Sequence, residues 1–346
     1  VNTIRNTLLT LALAISLAAC EQGSTDTPPS PAPAGPSPGT PPSGATGIDP
    51  VNGFQTTNPP ITRSTVNDSA GFVLIADGTT ATSFTITVDT RERRYVVIRP
   101  VNSAPNVPVL LMLHPTATTP ETMANLANVS DYVLTQGFWA VLPQAIGGTW
   151  DDDPSSFANL DIPFMNALLD RLYADPAIDD TRIYATGFSS GGFMTERMAC
   201  ELSPRIAAFA IASATLRGSQ ASVCVPAVRR PKVYFLGTSD AIVAYNGVFS
   251  GTPNGLYSAA DTLQFWRQQQ GCGGIVSTTL PNRANDGTTV QRDEYTGCGN
   301  GTALQLYTIY NGGHAWPGGD PSFVGQATQD IAATGLLWLF ARGYRR

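Results

Sequence analysis

The polarity pattern of the first twenty residues is one-sided: Arg5 precedes an apolar run over 8–19 that only Thr10 and Ser16 interrupt. The run is shorter than the roughly 20 apolar residues a spanning helix needs. A positive charge ahead of a short apolar core is the layout of an export signal, assigned to residues 1–19. From 20 to 68 periodic apolar positions vanish, and 11 of the 27 prolines fall between Pro28 and Pro60. That composition predicts a Pro-rich spacer and not a domain. From 69 to 346 short β-rich runs alternate with runs of helical period. Strands are predicted at 84–88, 95–98, 107–113, 138–142, 182–186, 207–211, 233–236 and 304–309. Helices are predicted at 120–135, 157–173, 191–202, 259–270 and 326–344. Several strand runs are continuously apolar, as buried parallel strands are. The alternation implies a single α/β domain whose mostly parallel central sheet is flanked by helices.

Composition narrows the chemistry. The formal charge is −6 and Lys232 is the only lysine, so a cationic surface for nucleic acid is not expected. Two histidines, His114 and His314, are too few for a multi-histidine metal site. No metal or organic cofactor is expected. The apolar run ends Leu17-Ala18-Ala19-Cys20, which resembles the lipobox of bacterial lipoproteins. The likeness implies a lipidated, mature N-terminus at Cys20, an exported protein, and membrane contact through lipid alone. An oxidising compartment makes disulfides of Cys200, Cys224, Cys272 and Cys298 the natural expectation. Three connectivities are open, with the sequence-local pairs Cys200–Cys224 and Cys272–Cys298 preferred.

The segment Gly187-Phe188-Ser189-Ser190-Gly191, followed by Gly192, lies between a predicted strand and a predicted helix. G-x-S-x-G is weak as a bare pattern in a chain this rich in Gly and Ser. In that context it is the nucleophile elbow of the α/β-hydrolase fold. A sharp turn presents Ser189 at a helix N-terminus, where the Ser190 amide can hold negative charge. A serine hydroxyl needs a neighbouring base. Only His314 lies downstream, in a Gly-rich loop after the last predicted strand, which makes it the candidate base. His114, at the end of strand 107–113, is assigned to shaping the oxyanion loop and to substrate contact. The carboxylate should sit on a loop at a strand end, as Asp240 does. Its rivals are Asp261, inside a predicted helix, and Asp286 and Asp293, on an apparent surface excursion. Trp150 and Trp316 are candidate aromatic walls for the substrate.

Residues 184–194 (YATGFSSGGFM), 236–240 (LGTSD) and 312–319 (GGHAWPGG) together resemble the polyhydroxybutyrate depolymerase-like esterase family, which includes feruloyl and acetylxylan esterases. The likeness covers roughly residues 82–321, and the segment around His314 is its most diagnostic part. It implies a secreted carboxylic-ester hydrolase with Ser189, Asp240 and His314 as triad, and Cys272 and Cys298 match that family's paired cysteines. One departure stands out. Where relatives have His-Gly this chain has His114-Pro115, and proline offers no N–H. The second oxyanion donor, beside Ser190, is then assigned to Thr116. The reading is a lipid-anchored, monomeric serine esterase acting on polyester-type or hydroxycinnamoyl esters, with plant polysaccharide esters as an alternative. The alternatives from outside esterase chemistry are a serine peptidase on the same fold and a non-catalytic surface lipoprotein.

Overall fold

The computed structural model describes residues 47–57, 60–68, 70–319 and 327–346. The assigned export signal, Cys20 and the spacer as far as residue 46 lie outside the described residues. In chain order the strands are β1 (Gly47–Ile48), β2 (Gln55–Thr56), β3 (Arg63–Asp68), β4 (Gly71–Ala76), β5 (Thr79–Val88), β6 (Arg91–Pro100), β7 (Val107–Leu113), β8 (Trp139–Pro143), β9 (Ile178–Phe188), β10 (Ala208–Ala212), β11 (Lys232–Gly237), β12 (Gly274–Thr279), β13 (Thr289–Thr296) and β14 (Leu304–Tyr310). The α-helices are α1 (Pro120–Leu126), α2 (Val129–Gln136), α3 (Asp161–Tyr173), α4 (Ser190–Glu201), α5 (Gly218–Val223), α6 (Ala259–Gln270) and α7 (Ala333–Ala341).

All seven residues of β7 are buried, which demands cover on both faces because successive side chains point opposite ways. On one face Val109, Leu111 and Leu113 pack with Phe164 and Leu168 of α3, Met194 and Met198 of α4, and Trp266 of α6. On the other, Leu110 and Met112 pack with Met123 of α1, Val133 of α2 and Trp338 of α7. The sheet runs β12-β13-β14-β11-β10-β9-β7-β8-β6-β5. Its centre, from β14 to β8, is parallel, and both edges are finished by antiparallel strands. This is the α/β-hydrolase architecture that the strand–helix alternation predicts. Among the described residues no helix is long and apolar enough to cross a membrane.

Several boundaries differ from expectation, and three of them change how the body is built. The spacer does not run to residue 68: β3 pairs with β4, Arg63 bonds Asp131, and Asp68 meets Arg94 at 2.7 Å. The mostly exposed, polar β3 carries no apolar alternation by which a sequence reading would find it. The helix predicted over 120–135 is broken at Asn128, which takes φ 50°, a conformation that Asn tolerates better than most residues. The C-terminal helix starts at Ala333, and the amides at its start are satisfied from outside it, Ala332 N–H by Asn52 O and Ala333 N–H by Pro317 O.

The sole lysine lies at the centre of the α4–β11–α6 contact. Lys232 Nζ is 2.8 Å from Glu196 Oε2 and 3.6 Å from the Trp266 ring centre. Trp266 Nε1 and Tyr234 Oη also donate to Glu196, so both carboxylate oxygens are satisfied. Disulfides join Cys200 to Cys224 and Cys272 to Cys298. Closing loops of 24 and 26 residues, each contributes roughly 3 kcal/mol in a chain-entropy picture. Removing one partner of the ion pair strands a buried charge. Lys232→Met should therefore lower the unfolding free energy by about 3–5 kcal/mol, and the double change Lys232→Met with Glu196→Gln, which removes the stranded charge and keeps an acceptor for Tyr234 Oη and Trp266 Nε1, should recover part of it. Denaturant midpoints of the three chains test this, and a double mutant no better than the single would refute it.

Candidate active site

Ser189 stands where β9 ends and α4 begins, with φ 56° and ψ −119°. That backbone costs a non-glycine residue roughly 1–3 kcal/mol and persists only where neighbours enforce it. Here they do. Ser189 N–H bonds Ala212 O of β10 at 3.0 Å, and Phe193 N–H bonds Ser189 O at 3.0 Å. A Cβ on Gly187 would lie 2.0 Å from Gly191 O, and one on Gly191 would lie 2.2 Å from Leu113 O. Both positions must be glycine for the turn to fit between β7 and α4. Ser190 opens the helix, where the first amides have no intrahelical acceptor, and its hydroxyl oxygen is buried without a hydrogen-bond partner.

His314 and Asp240 are brought together by the loops after β14 and β11. His314 Nδ1 is 2.8 Å from Asp240 Oδ2, while Asp240 Oδ1 accepts from the amides of Ile242 at 2.8 Å and Val243 at 2.7 Å. The carboxylate is thus held at both oxygens. With Nδ1–H turned to Asp240, the Nε2 lone pair is left to act as a base. The two loops are bonded to each other through Ser239 N–H to Gly312 O and Asn311 N–H to Thr238 Oγ1, each 2.9 Å. Phe188, next to Ser189, stacks on the His314 ring with centres 5.1 Å apart. The rival carboxylates are engaged elsewhere: Asp261 with Ser250 and Ser258, Asp286 with Thr288 and Gln329, and Asp293 with Ser277 and Gln291.

The three residues expected to touch substrate are placed otherwise. Trp150 and Trp316 are 2% and 1% exposed, so neither forms an open wall. Trp316 Nε1 donates to Thr334 Oγ1 at 3.0 Å and its ring meets Phe188 edge-on, which braces the elbow from behind. Trp150 Nε1 donates to His114 O at 2.8 Å. His114 is fully buried, with Nδ1 2.8 Å from Pro115 O and Nε2 accepting from Ala145 N–H at 3.1 Å. These bonds fix it as a neutral ring that clips the loop after β7 to the loop after β8. Thr116 lies exposed on that loop, and the next amide, of Ala117, bonds Gly148 O at 2.9 Å.

Sequence reasoning missed two polar links that hold the loops beyond β8 and β10. Arg217, on the loop after β10, stacks 4.1 Å over Phe193 of α4 and pairs with Asp152. Its place just beyond a strand's carboxyl end was the available signal. The buried pair Arg93–Asp161 holds the loop after β8, since Asp161 Oδ2 accepts from Asp151 N–H at 2.7 Å and Arg93 donates to Leu160 O. Nothing in the sequence links these distant positions.

Burial holds the His114 imidazole below its usual range, against smaller upward pulls from Pro115 O, Asp161 and Glu121. The unfolded chain therefore takes up a proton here that the folded chain resists. The stability tied to the neutral ring is fully present above about pH 6.5 and is lost as pH falls below it. The urea midpoint of the wild-type chain should fall between about pH 7.5 and about pH 5.5 by more than that of His114→Gln. Equal falls in the two chains would place the loss elsewhere.

No family model matches the chain. Feruloyl esterase B of Piromyces equi is 31% identical over 179 residues, covering 49% of this chain and 32% of that protein. The putative esterase NocK of Nocardia uniformis subsp. tsuyamanensis is 24% identical, with 96% of each chain covered. The bifunctional acetylxylan esterase/xylanase XynS20E of Neocallimastix patriciarum is 28% identical over 69% of this chain and 34% of its own length. The chain thus spans about a third of two of these relatives and nearly all of the other. Among solved structures, an acetyl xylan esterase from Aspergillus awamori superposes with TM-score 0.52 at 14% identity, covering 68% of this chain and 94% of that one. A putative dipeptidyl aminopeptidase IV from Bacteroides ovatus superposes with TM-score 0.53 at 11% identity, covering 82% of this chain and 41% of that one. These two likenesses speak to the fold alone. By fold the chain is an α/β-hydrolase, and by sequence it is similar to esterases of that broad group.

Proposed function

We propose that the chain is a carboxylic-ester hydrolase in which Ser189, His314 and Asp240 act as a catalytic triad. The observation that carries this reading is the His314–Asp240 bond, whose carboxylate is locked by two amides, with Phe188, chain neighbour of the strained Ser189, stacked on the His314 ring. In this mechanism Ser189 Oγ attacks the ester carbonyl carbon as His314 Nε2 takes its proton. Asp240 stabilises the imidazolium that results. The carbonyl oxygen becomes an oxyanion held by the amides of Ser190 and Thr116. Collapse of the tetrahedral species breaks the ester C–O bond, and the alcohol leaves with the proton from His314. Water, deprotonated by the same nitrogen, then releases the acid from the acyl-serine and restores the enzyme.

Similarity to feruloyl and acetylxylan esterases and the low charge of the chain favour neutral esters, hydroxycinnamoyl esters or esters of plant polysaccharides, with polyester-type esters open to the same chemistry. The export signal over 1–19, lipidation at Cys20 and the Pro-rich spacer belong to the same reading, that of an exported, lipid-anchored esterase.

Initial rates on p-nitrophenyl butyrate, methyl ferulate and a hydroxybutyrate oligomer test the assignment. Ser189→Ala should lose at least about 10³-fold in kcat on whichever ester is turned over, and Asp240→Asn roughly 10³–10⁴-fold. A fluorophosphonate probe should label Ser189 in the wild-type chain. Activity in Ser189→Ala comparable to wild type would remove the nucleophile, and an unlabelled, inactive wild-type chain would favour a binding protein on a hydrolase body.

A further inference from the structure

A hydrogen bond at one ring nitrogen fixes a corner of an imidazole and leaves its plane free. His314 Nδ1 lies 2.8 Å from Asp240 Oδ2, and the ring can still swing about that bond, since the last torsion of a histidine has broad wells. Such a swing changes where Nε2 points. The ring of Phe188 opposes it, lying with its centre 5.1 Å from that of His314 and 29° between the planes. Both side chains are buried.

The grip on Phe188 is double. Trp316, two residues past His314, meets the same ring edge-on, with centres 6.4 Å apart and planes at 80°. The segment 314–316 thus holds that ring by a face and by an edge, and between the two contacts Ser213 Oγ donates to Ala315 O at 3.2 Å. The far end is anchored as well, because Trp316 Nε1 donates to Thr334 Oγ1, which donates to Ala127 O at 2.7 Å. Phe188 itself is the last residue of β9 and pairs with Ala212 of β10, the residue that accepts from Ser189 N–H. The Cα atoms of Phe188 and Ser189, consecutive in the chain, are about 3.8 Å apart. The turn requires glycine at 187 and 191 and asks nothing of the side chain at 188.

We infer that Phe188 is a positioning residue: its ring sets the plane of His314 and so registers the base to the nucleophile that follows Phe188 in the chain. The inference rests on the esterase reading for what the alignment serves, whereas the stack itself does not depend on that reading. A flexible side chain of similar bulk fills the same space without offering a plane. A base displaced by about 1 Å costs up to about a hundredfold in rate. Substrate affinity should change little, because a ring only 3% exposed offers substrate almost no surface.

The test uses the full chain carrying Phe188→Met, which keeps most of the buried volume in an unbranched side chain. Phe138→Met is the packing control. Phe138 is fully buried in the cluster on the same face of the sheet and stacks on Trp338 at 4.2 Å. It precedes β8 whereas His314 follows β14, so the two lie at opposite ends of the parallel strands. On whichever ester is turned over, Phe188→Met should lower kcat about 10–100-fold with KM within about twofold of wild type. Phe138→Met should lose thermal stability and keep kcat within about twofold. A second readout needs no turnover. His114 and His314 are the only histidines, so histidine-labelled protein gives two sets of ring resonances, told apart with His114→Gln. In the wild-type chain the Phe188 ring current should displace the His314 set, and Phe188→Met should abolish that displacement while leaving the His114 set in place. A wild-type kcat in Phe188→Met, an equal loss in Phe138→Met, or His314 resonances undisplaced in the wild type or unmoved in the variant would each overturn the inference. A displacement that Phe188→Met abolishes, in a protein whose wild-type chain hydrolyses no ester, would leave the stack standing and remove the esterase reading instead.

Discussion

A backbone that turns from a strand into a helix at one residue leaves no room for side chains on either side of the turn. Everything around Ser189 follows from that crowding. Gly191 meets the carbonyl of Leu113 at the end of β7, Gly187 meets Gly191 across the turn, and the serine amide is held by β10. The position of Ser189 is therefore set by the register of three adjacent parallel strands and not by the turn alone. That register is in turn held by two hydrophobic clusters, one on each face of the sheet. Packing far from the site keeps the serine strained.

The other half of the constellation is held by hydrogen bonds between loops, and its logic is different. Asp240 uses one oxygen for the imidazole and the other for two backbone amides, so its orientation does not depend on the histidine it orients. The turn at Ser189 stores torsional strain, whereas Asp240 and His314 are held by hydrogen bonds. Buried polar links extend the same principle outward. His114, Trp150, Arg93 and Asp161 join the loops after β7 and β8 through polar groups whose bonds are satisfied among themselves.

Much of this was legible in the sequence, because it lay in strong local signals. Strand 107–113 and helix 259–270 coincide with β7 and α6, the one continuously apolar and the other a capped amphipathic run between Ser258 and Gly271. Ser189, Asp240 and His314 were legible as strand-end residues beside glycines. What escaped was decided by tertiary contact. The β3–β4 and β12–β13 pairs show little apolar alternation, since β12 is exposed on every residue. Asn128 breaks a helix whose pattern runs on without a visible stop. An indole gives no sign of which way it faces, so Trp150 and Trp316 read as substrate walls while the fold uses them to brace the site from within. Arg93 and Asp161 are separated by 68 residues, and no periodicity connects them.

The buried ion pair has a consequence for how this protein can be handled. Lys232 is the only lysine in the sequence, and its ammonium is enclosed by Glu196 and three aromatic rings. The folded body thus offers no lysine amine to acylating reagents, aldehyde supports or amine-directed crosslinkers, and gains one only when α4, β11 and α6 separate. Acylation read at Lys232 itself, apart from any at the α-amine, would count opened molecules, one event per chain.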